Sequence, residues 1–368
     1  MAVSGISVVV AVFMVTMAIA TGFETALKTA GSSANAIVIR EGAQAEMQSQ
    51  VSREAAAILR SHSAVARSSN GTPLLTADLV VVFNRPKMDG GASNVTARGV
   101  SPAAWDVRTE VQMVQGRAFT PGTDEIVVGA ALAKRVAGLT IGSRFPMGTR
   151  QWLVVGIQDS GGSAYDSEIW GDAETFIQAF DRDAYSGVTL RLRDADALEE
   201  IETLVATDRR LLSLMAKPED RYYADASAQL TTFIRVMGLI LSALMSLGAI
   251  TGAATTMYAQ VADRTREIGT LKALGFAPGA IGLSFLAEAF LLSVVGGLLG
   301  CVLALPFGGM ETGTTNWSTF SEIAFTFTLT PELGLHGIMF ATVMGVLGGF
   351  LPALRAARML PTEALRAL

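Results

Sequence analysis

Four long apolar runs divide the chain, and each is long enough to form a helix that crosses a lipid bilayer. They cover about residues 2–22, 233–258, 281–305 and 335–354. About 20 consecutive apolar residues span the hydrocarbon layer of a membrane as a helix. The pattern therefore predicts a membrane protein with four transmembrane helices.

The first run has two interpretations. Residues 18–20, Ala-Ile-Ala, have the small-x-small form of a signal-peptide cleavage site. However, no basic segment precedes the run, and the run is longer than the apolar part of a usual signal peptide. We therefore expect residues 1–24 to be retained as a membrane anchor.

The stretch at residues 25–230 has the composition of a water-soluble domain. Short apolar segments typical of strands alternate there with segments of helical periodicity. The predicted strands are residues 36–39, 78–83, 94–100, 125–128, 152–157 and 188–192, and the predicted helices are residues 51–59, 130–136 and 195–206. The mixed order predicts a large α+β domain, in one lobe or two, inserted between transmembrane helices 1 and 2.

Basic residues near the membrane runs predict the orientation. They lie between the second and third runs and after the fourth: Arg264, Arg266, Lys272, Arg355, Arg358 and Arg366. The loop at residues 307–333 contains no Lys or Arg. Because basic residues concentrate in cytoplasmic loops, we predict cytoplasmic termini and an extracytoplasmic α+β domain. Arg221 and Arg235 near the opposite end of helix 2 weigh against this orientation, although Arg235 can reach the lipid headgroups.

The loop at residues 263–280 predicts a short amphipathic helix. Ile268, Leu271 and Leu274 recur at helical spacing, while Lys272 points elsewhere. Gly275 occupies the position of a C-cap glycine, and Pro278 follows it. The helix is therefore expected to end at Gly275.

The residue pattern of this loop resembles that of a known protein family. Residues 266–275 read R-E-I-G-T-L-K-A-L-G, which resembles the cytoplasmic coupling segment of the MacB/FtsX-like ABC transporter permeases. The tail at residues 352–366 resembles the ending of these permeases, and R-G-V-S-P at residues 98–102 resembles their extracytoplasmic domain. Members usually carry a basic amphipathic segment before the first helix, which this sequence does not show. We name residues 263–280 the coupling segment and residues 231–368 the FtsX-like permease domain.

The resemblance implies a permease subunit that works as a dimer of two copies or paralogues with two ATPase subunits. It implies that the partner subunits bind ATP, so the chain needs no cofactor, and that ATP-driven motion passes from the cytoplasmic to the outer side. The residues that it assigns to the ATPase contact are Arg264, Arg266, Glu267, Ile268, Gly269, Leu271, Lys272, Ala273, Leu274, Gly275 and Phe276.

The sequence contains no recognisable catalytic constellation, so we expect no enzymatic activity in this chain. Residues 22–29 superficially suggest a phosphate-binding loop, but Leu27 stands where the loop requires glycine before the lysine. Two close carboxylate pairs, Asp166 with Glu168 and Asp181 with Asp183, lie in turn-like contexts, and we expect solvated loops there.

Metal and nucleic-acid sites are not expected either. His62 and His336 are far apart and have no cysteine or carboxylate at ligand spacing. Cys301, the single cysteine, lies in an apolar run and is expected to act as a small hydrophobic residue. A net charge of −5 argues against binding of nucleic acid.

Two features of the membrane runs have open interpretations. Glu288 is a carboxylate inside the third run, and such a group marks either a proton pathway or a structural role, paired or protonated. A glutamate at this place resembles the family pattern, which favours the structural role. Gly248 and Gly252 form a small-xxx-small pair that serves either packing within the chain or a dimer contact.

Three functions fit these observations. The first is export or extraction of a lipoprotein, a peptide or a hydrophobic small molecule at the outer face. The second is FtsX-like regulation of a periplasmic or cell-wall partner without transport. The third, a membrane-anchored binding protein without an ATPase, is disfavoured by the coupling segment. The expected partners are an ABC ATPase, a second permease, membrane lipid and a periplasmic adaptor or substrate protein, in the bacterial cytoplasmic membrane.

The orientation can be tested with single cysteines in a Cys301→Ala background. Cysteines at Ser93 and Thr314 are expected to react with a membrane-impermeant maleimide added to intact cells, and a cysteine at Thr270 is expected to stay unlabelled until the cells are opened. Labelling at Thr270 in intact cells would show that the orientation is reversed.

Overall fold

The computed structural model describes residues 2–88, 90–317 and 319–361. Within them, the chain forms two compact units. The helical unit comprises the described parts of Met1–Thr21, Thr232–Met310 and Phe327–Leu368. The α+β unit comprises those of Gly22–Thr231 and Glu311–Thr326. The predicted tail residue Arg366 lies outside the described residues.

The described residues contain ten α-helices. They are α1 (Ala2–Lys28), α2 (Arg53–Ser61), α3 (Ala104–Val107), α4 (Ala130–Arg135), α5 (Ala173–Ala179), α6 (Ala197–Thr207), α7 (Glu219–Asp263), α8 (Thr265–Ala273), α9 (Pro278–Ala304) and α10 (Pro331–Arg358). In this part of the chain, four helices are long and apolar enough to cross a membrane: α1, α7, α9 and α10. They correspond to the four predicted runs. Helix α7, however, begins at Glu219, well before residue 233. The search for apolar runs missed this first part because it is polar.

Small residues allow the long helices to approach closely. On α10, Gly345 faces Ser293 of α9, and a Cβ on this glycine would overlap the serine side chain. In contrast, apart from the local backbone of α7, no described atom lies within 4 Å of a Cβ built on Gly248 or Gly252. The interpretation that this pair serves packing within the chain is therefore wrong. The alternative, a dimer contact, stays a prediction.

The described residues also contain twelve β-strands. They are β1 (Asn35–Arg40), β2 (Leu75–Pro86), β3 (Ala92–Val100), β4 (Gln112–Gly116), β5 (Glu125–Gly129), β6 (Arg144–Met147), β7 (Arg150–Asp159), β8 (Glu168–Asp172), β9 (Gly187–Arg191), β10 (Leu214–Pro218), β11 (Glu311–Thr315) and β12 (Glu322–Thr326). The first ten form a mixed sheet in the order β10-β1-β9-β2-β3-β8-β5-β7-β4, with β6 beside β7.

The α+β unit has two lobes that share strand β2. Residues 75–78 of β2 pair with β9, and residues 79–86 pair with β3. One core packs β1 and β9 against α2 and α6, with Leu59 and Ile201 fully buried. The other core packs β5, β7 and β8 against α5, around Trp152 and Phe176. The mixed α+β architecture agrees with the sequence prediction, which left open whether the unit has one lobe or two.

Several elements of this unit are absent from the sequence prediction. Strands β4, β6, β8 and β10 are only four or five residues long, and most contain or adjoin Gly, Pro or Asp, which are depleted in strands. Residues 307–333, predicted as a loop, contain the antiparallel hairpin of β11 and β12. This hairpin belongs to the α+β unit.

The prediction that Asp166 and Glu168 lie in a solvated loop is wrong. Their exposed fractions are only 4% and 7%. Asp166 accepts hydrogen bonds from the backbone N–H groups of Ser160 (2.6 Å) and Gly162 (2.8 Å) and so holds a tight turn together. Asp181 and Asp183 are exposed, as predicted. Ser93 is also buried, so Asn70 in an exposed turn is the better labelling position for the orientation test.

Candidate functional site

The coupling segment contains the short helix α8, and one side of this helix is buried. Ile268 is 2% exposed and packs in a cluster with three long helices. The other buried members are Met257 and Val261 of α7, Ile281, Phe285 and Ala289 of α9, and Ala353 and Ala356 of α10. An isolated helix of nine residues is marginal in water, so this packing holds α8 in place.

Two charged side chains connect the coupling segment to the same neighbours. Lys272 Nζ donates to the carbonyl oxygens of Ala357 (2.8 Å) and Met359. These lie at the C-terminal end of α10, where unpaired carbonyls favour a cation. Arg264 Nη1 donates to Glu288 Oε2 of α9 at 3.1 Å. This ion pair supports the structural interpretation of Glu288.

Gly275 ends α8 as predicted. Its φ of +93° lies in the left-handed region, which glycine adopts without strain. The N–H of Gly275 donates to the carbonyl oxygen of Lys272, and the N–H of Phe276 donates to that of Leu271, both at 3.1 Å. This is the hydrogen-bond pattern of the Schellman motif, which gives the helix a defined end.

The rest of the predicted apolar face is exposed. Leu271, Leu274 and Phe276 are 38%, 73% and 55% exposed. The sequence placed Ile268, Leu271 and Leu274 on one face. However, six residues at 3.6 residues per turn place Leu274 about 120° around the helix from Ile268. Ile268 therefore faces the long helices, and we name Leu271, Leu274 and Phe276 the exposed apolar face.

The remaining residues that the sequence assigned to the ATPase contact divide in the same way. Arg266, Glu267 and Ala273 are exposed, whereas Gly269 is buried. The geometry is that of a fixed helix that leaves apolar and charged side chains exposed.

Helix α7, which leads into the coupling segment, begins in the α+β unit at a buried polar cluster. Glu219, its first residue, is fully buried. The Glu219 carboxylate accepts hydrogen bonds from Asn35 Nδ2 (2.8 Å) and the backbone N–H of Ser32 (3.2 Å). Its other oxygen lies 3.7 Å from Arg108 Nε, and Arg108 is also fully buried. These contacts fix the first turn of α7 in the α+β unit.

The same cluster extends through Arg98. Arg98 pairs with Glu168 at 2.8 Å and with Glu46 at 2.8 Å, and Asp78 lies between Arg98 and Arg108 at 3.3 and 2.6 Å. Two arginines therefore face four buried carboxylates when Glu219 is counted. Uncompensated buried charge is unfavourable. Burial raises the pKa of Glu219 to about 6, against the opposing effect of Arg108.

Comparison with known domains covers most of the chain. The model of the MacB-like periplasmic core domain matches residues 1–207, which is more than half of the chain, and that of the FtsX-like permease C-terminal domain matches residues 239–361. The chain belongs to the MacB/FtsX-like family of ABC transporter permeases. This permease is accordingly a bacterial membrane protein.

Its relatives include fused and separate permeases. The macrolide export ATP-binding/permease protein MacB of Bdellovibrio bacteriovorus is 26% identical over 74% of this chain and 44% of that protein. The pyoverdine export ATP-binding/permease protein PvdT of Pseudomonas syringae pv. tomato is 35% identical over 48% of this chain and 26% of that protein. The uncharacterized ABC transporter permease YknZ of Bacillus subtilis is 24% identical over 74% of this chain and 70% of that protein. The permease thus spans less than half of the two ATP-binding/permease relatives.

Solved structures overlap the permease in part. One of them is the extracellular domain of a noncanonic ABC-type transporter YknZ from Gram-positive bacteria, with a TM-score of 0.37 and 16% identity, covering 50% of this chain and 99% of that chain. The family assignment rests on the domain matches.

Sequence reasoning assigned no role to the polar cluster at the start of α7. One signal was present, because Arg98 stands between apolar residues in a predicted strand, and a buried arginine requires acidic partners. The partners themselves are far apart in sequence. Only the fold brings the three glutamates close to Arg98 and Arg108.

The cluster predicts a pH dependence of stability. Glu219 lies in the α+β unit, before the apolar part of α7, and its pKa rises from 4.5 to about 6 on folding. The folded state therefore binds this proton more tightly, so the stabilisation is complete below pH 4.5 and is lost as the pH rises through 6. The difference corresponds to about 2 kcal/mol.

The measurement compares thermal unfolding of the full-length permease with that of its Glu219→Gln variant, which cannot titrate. All four tryptophans lie in the α+β unit, so tryptophan fluorescence reports on this unit. The wild-type midpoint is expected to rise relative to that of the variant as the pH falls from 7 to 4.5. A gap that does not change with pH would show that Glu219 does not titrate in this range.

Proposed function

We propose that this permease couples ATP hydrolysis by a separate ABC ATPase to movement of the α+β unit, for export or extraction of a substrate at the outer face. The observation that carries the proposal is the exposed apolar face on a helix that is otherwise fixed. Leu274, at the C-terminal cap of α8, is 73% exposed, although Ile268 within this helix is buried. A group of exposed apolar side chains marks an interaction surface, and we assign it to a protein partner because charged residues surround it.

The energetics support a specific contact. Complete burial of a Leu or Phe side chain contributes about 1.5–3 kcal/mol. Burial of the three residues of the exposed apolar face therefore offsets part of the free-energy cost of association, and the charged side chains beside them supply further contacts. Because Gly275 and Lys272 fix the end and the position of α8, little conformational entropy is lost on docking.

The orientation is part of the proposal. The concentration of Lys and Arg around α8 and from the last turn of α10 onwards supports a cytoplasmic coupling segment and cytoplasmic termini in the inner membrane of the bacterium. In this orientation, an ATPase in the cytoplasm reaches the exposed apolar face, and the α+β unit lies outside. The ATPase would bind the nucleotide, and the permease would supply no cofactor site.

The relatives support transport as the kind of work. Two of them carry names that refer to export, of macrolides and of pyoverdine. We therefore favour export of a substrate over regulation of a partner without transport. A second permease completes the complex, and the unpacked faces of Gly248 and Gly252 support a helix–helix contact between the copies.

The docking surface can be tested with Leu271→Asp and Leu274→Asp. A carboxylate in an apolar interface costs about 2–4 kcal/mol, so binding of the ATPase should weaken roughly 30- to 700-fold. The tagged chain is purified from membranes of its own host in mild detergent, and co-purifying proteins are identified by mass spectrometry. We expect an ABC ATPase to co-purify with the wild type. Both variants should lose the ATPase and, with it, the ATP hydrolysis activity.

Leu212→Asp provides the matched control, because Leu212 is 55% exposed in the α+β unit. This variant should retain the ATPase. If the two coupling-segment variants also retain the ATPase and full ATP hydrolysis, the coupling segment is only a surface loop.

A further inference from the structure

The hairpin of β11 and β12 is held on the α+β unit by a buried ionic contact. The side chain of Glu322 in β12 is only 7% exposed. Lys87 Nζ, which follows β2, lies 2.7 Å from Glu322 Oε1. Arg135 at the end of α4 pairs with the same oxygen. One buried carboxylate thus binds two cations from different elements, and we name these three residues the clasp.

Neutral hydrogen bonds and a second ion pair extend the contact along the hairpin. The backbone N–H of Ala324 donates to Ser167 Oγ at 2.8 Å, and both groups are buried. Near the turn, Asn94 Nδ2 of β3 donates to the carbonyl oxygen of Phe320 at 2.9 Å. At the other end, Lys134 lies 3.3 Å from Glu311. The hairpin is therefore docked over its whole length.

A simple connecting loop has no need of these contacts. The hairpin follows α9 and precedes α10, with only residues 305–310 and 327–330 between them. The chain crosses between the two units here, in addition to the crossings in α1 and α7. Without Lys87 and Arg135, the buried carboxylate of Glu322 would lack the ion pairs that compensate for its lost hydration. The clasp thus fixes residues that are only a few positions away from the ends of two long helices.

We propose that the clasped hairpin is a second mechanical connection, through which α9 and α10 move together with the α+β unit, in parallel with α1 and α7. This inference rests on the proposed function, because it concerns how motion reaches the α+β unit. It assigns a positioning role to Glu322, Lys87 and Arg135. Residues 305–310 and 327–330 are then the short links that carry the motion.

The first arm of the test measures docking and needs no ATPase. Hydrogen–deuterium exchange of residues 311–326 is followed in the full-length protein in detergent. Slow exchange is expected in the wild type. Glu322→Lys should accelerate the exchange at least tenfold, because the repulsion among three cations releases the hairpin from the α+β unit. The triple variant Lys87→Glu, Arg135→Glu, Glu322→Lys inverts every charge and should restore slow exchange. Fast exchange in the wild type, or no response to Glu322→Lys, overturns the proposal.

The second arm measures transmission in the complex with the ATPase. Four flexible residues, Gly-Ser-Gly-Ser, are inserted after Gly308 and again after Thr328, so that the clasp stays but the links become slack. The matched control carries the same insertion after Asn70, in an exposed turn of the α+β unit. The readout is the change in tryptophan fluorescence on addition of ATP, since all four tryptophans of the permease lie in the α+β unit.

Slack links should reduce this fluorescence change at least twofold while ATP hydrolysis continues, and the control should keep it. An undiminished change overturns the proposal and leaves the proposed function intact. If no ATPase assembles with the wild type, the proposed function fails, and the exchange measurement still decides whether the clasp exists.

Discussion

The position of α8 depends on one buried isoleucine and one lysine at a helix end. Ile268 is enclosed by side chains of α7, α9 and α10, and the Lys272 ammonium group binds the last carbonyl groups of α10. Nine residues cannot form a stable helix without such support. Because both contacts are on one side, Leu274 and Phe276 remain on the other side and exposed. The same packing that fixes the helix thus also leaves the surface exposed that we propose for docking.

Helix α7 gives this local arrangement a longer reach. It runs without interruption from Glu219 to Asp263, and its 45 residues correspond to a length of about 68 Å at 1.5 Å per residue. A bilayer's hydrocarbon layer needs less than half of this length. Its first turn is held by buried ionic contacts in the α+β unit, and its end adjoins the coupling segment. An unbroken helix that is held at its start and leads into the coupling segment supports the proposed transmission of movement.

The sequence predicts those features that depend on local periodicity. The four apolar helices, the core strands of the α+β unit and the end of α8 at Gly275 follow from residue spacing and from the conformational freedom of glycine. The clasp and the cluster around Arg98 could not be predicted, because their members are far apart in sequence. The carboxylate of Glu168 shows the difference: its neighbours in sequence suggest a turn, but its partner Arg98 lies on another strand.

The sequence did not predict the hairpin after α9, because its strands carry little local signal. Residues 311–315 and 322–326 are short and have only a weak strand pattern, and the lack of Lys and Arg suggested an outer loop and nothing more. The stabilising groups are supplied by Lys87, Arg135 and Ser167, which belong to other elements. Tertiary contacts, and not local propensity, therefore decide the fold of this stretch.

The central claim is that the exposed apolar face of α8 is covered by an ATPase, and its accessibility tests this claim most directly. Leu274→Cys in a Cys301→Ala background is labelled with a maleimide in opened membranes, with and without the co-purifying ATPase. The account predicts labelling at least tenfold slower when the ATPase is bound, while a cysteine at Leu212 labels at the same rate in both cases. Equal labelling of residue 274 with and without the bound ATPase would contradict it.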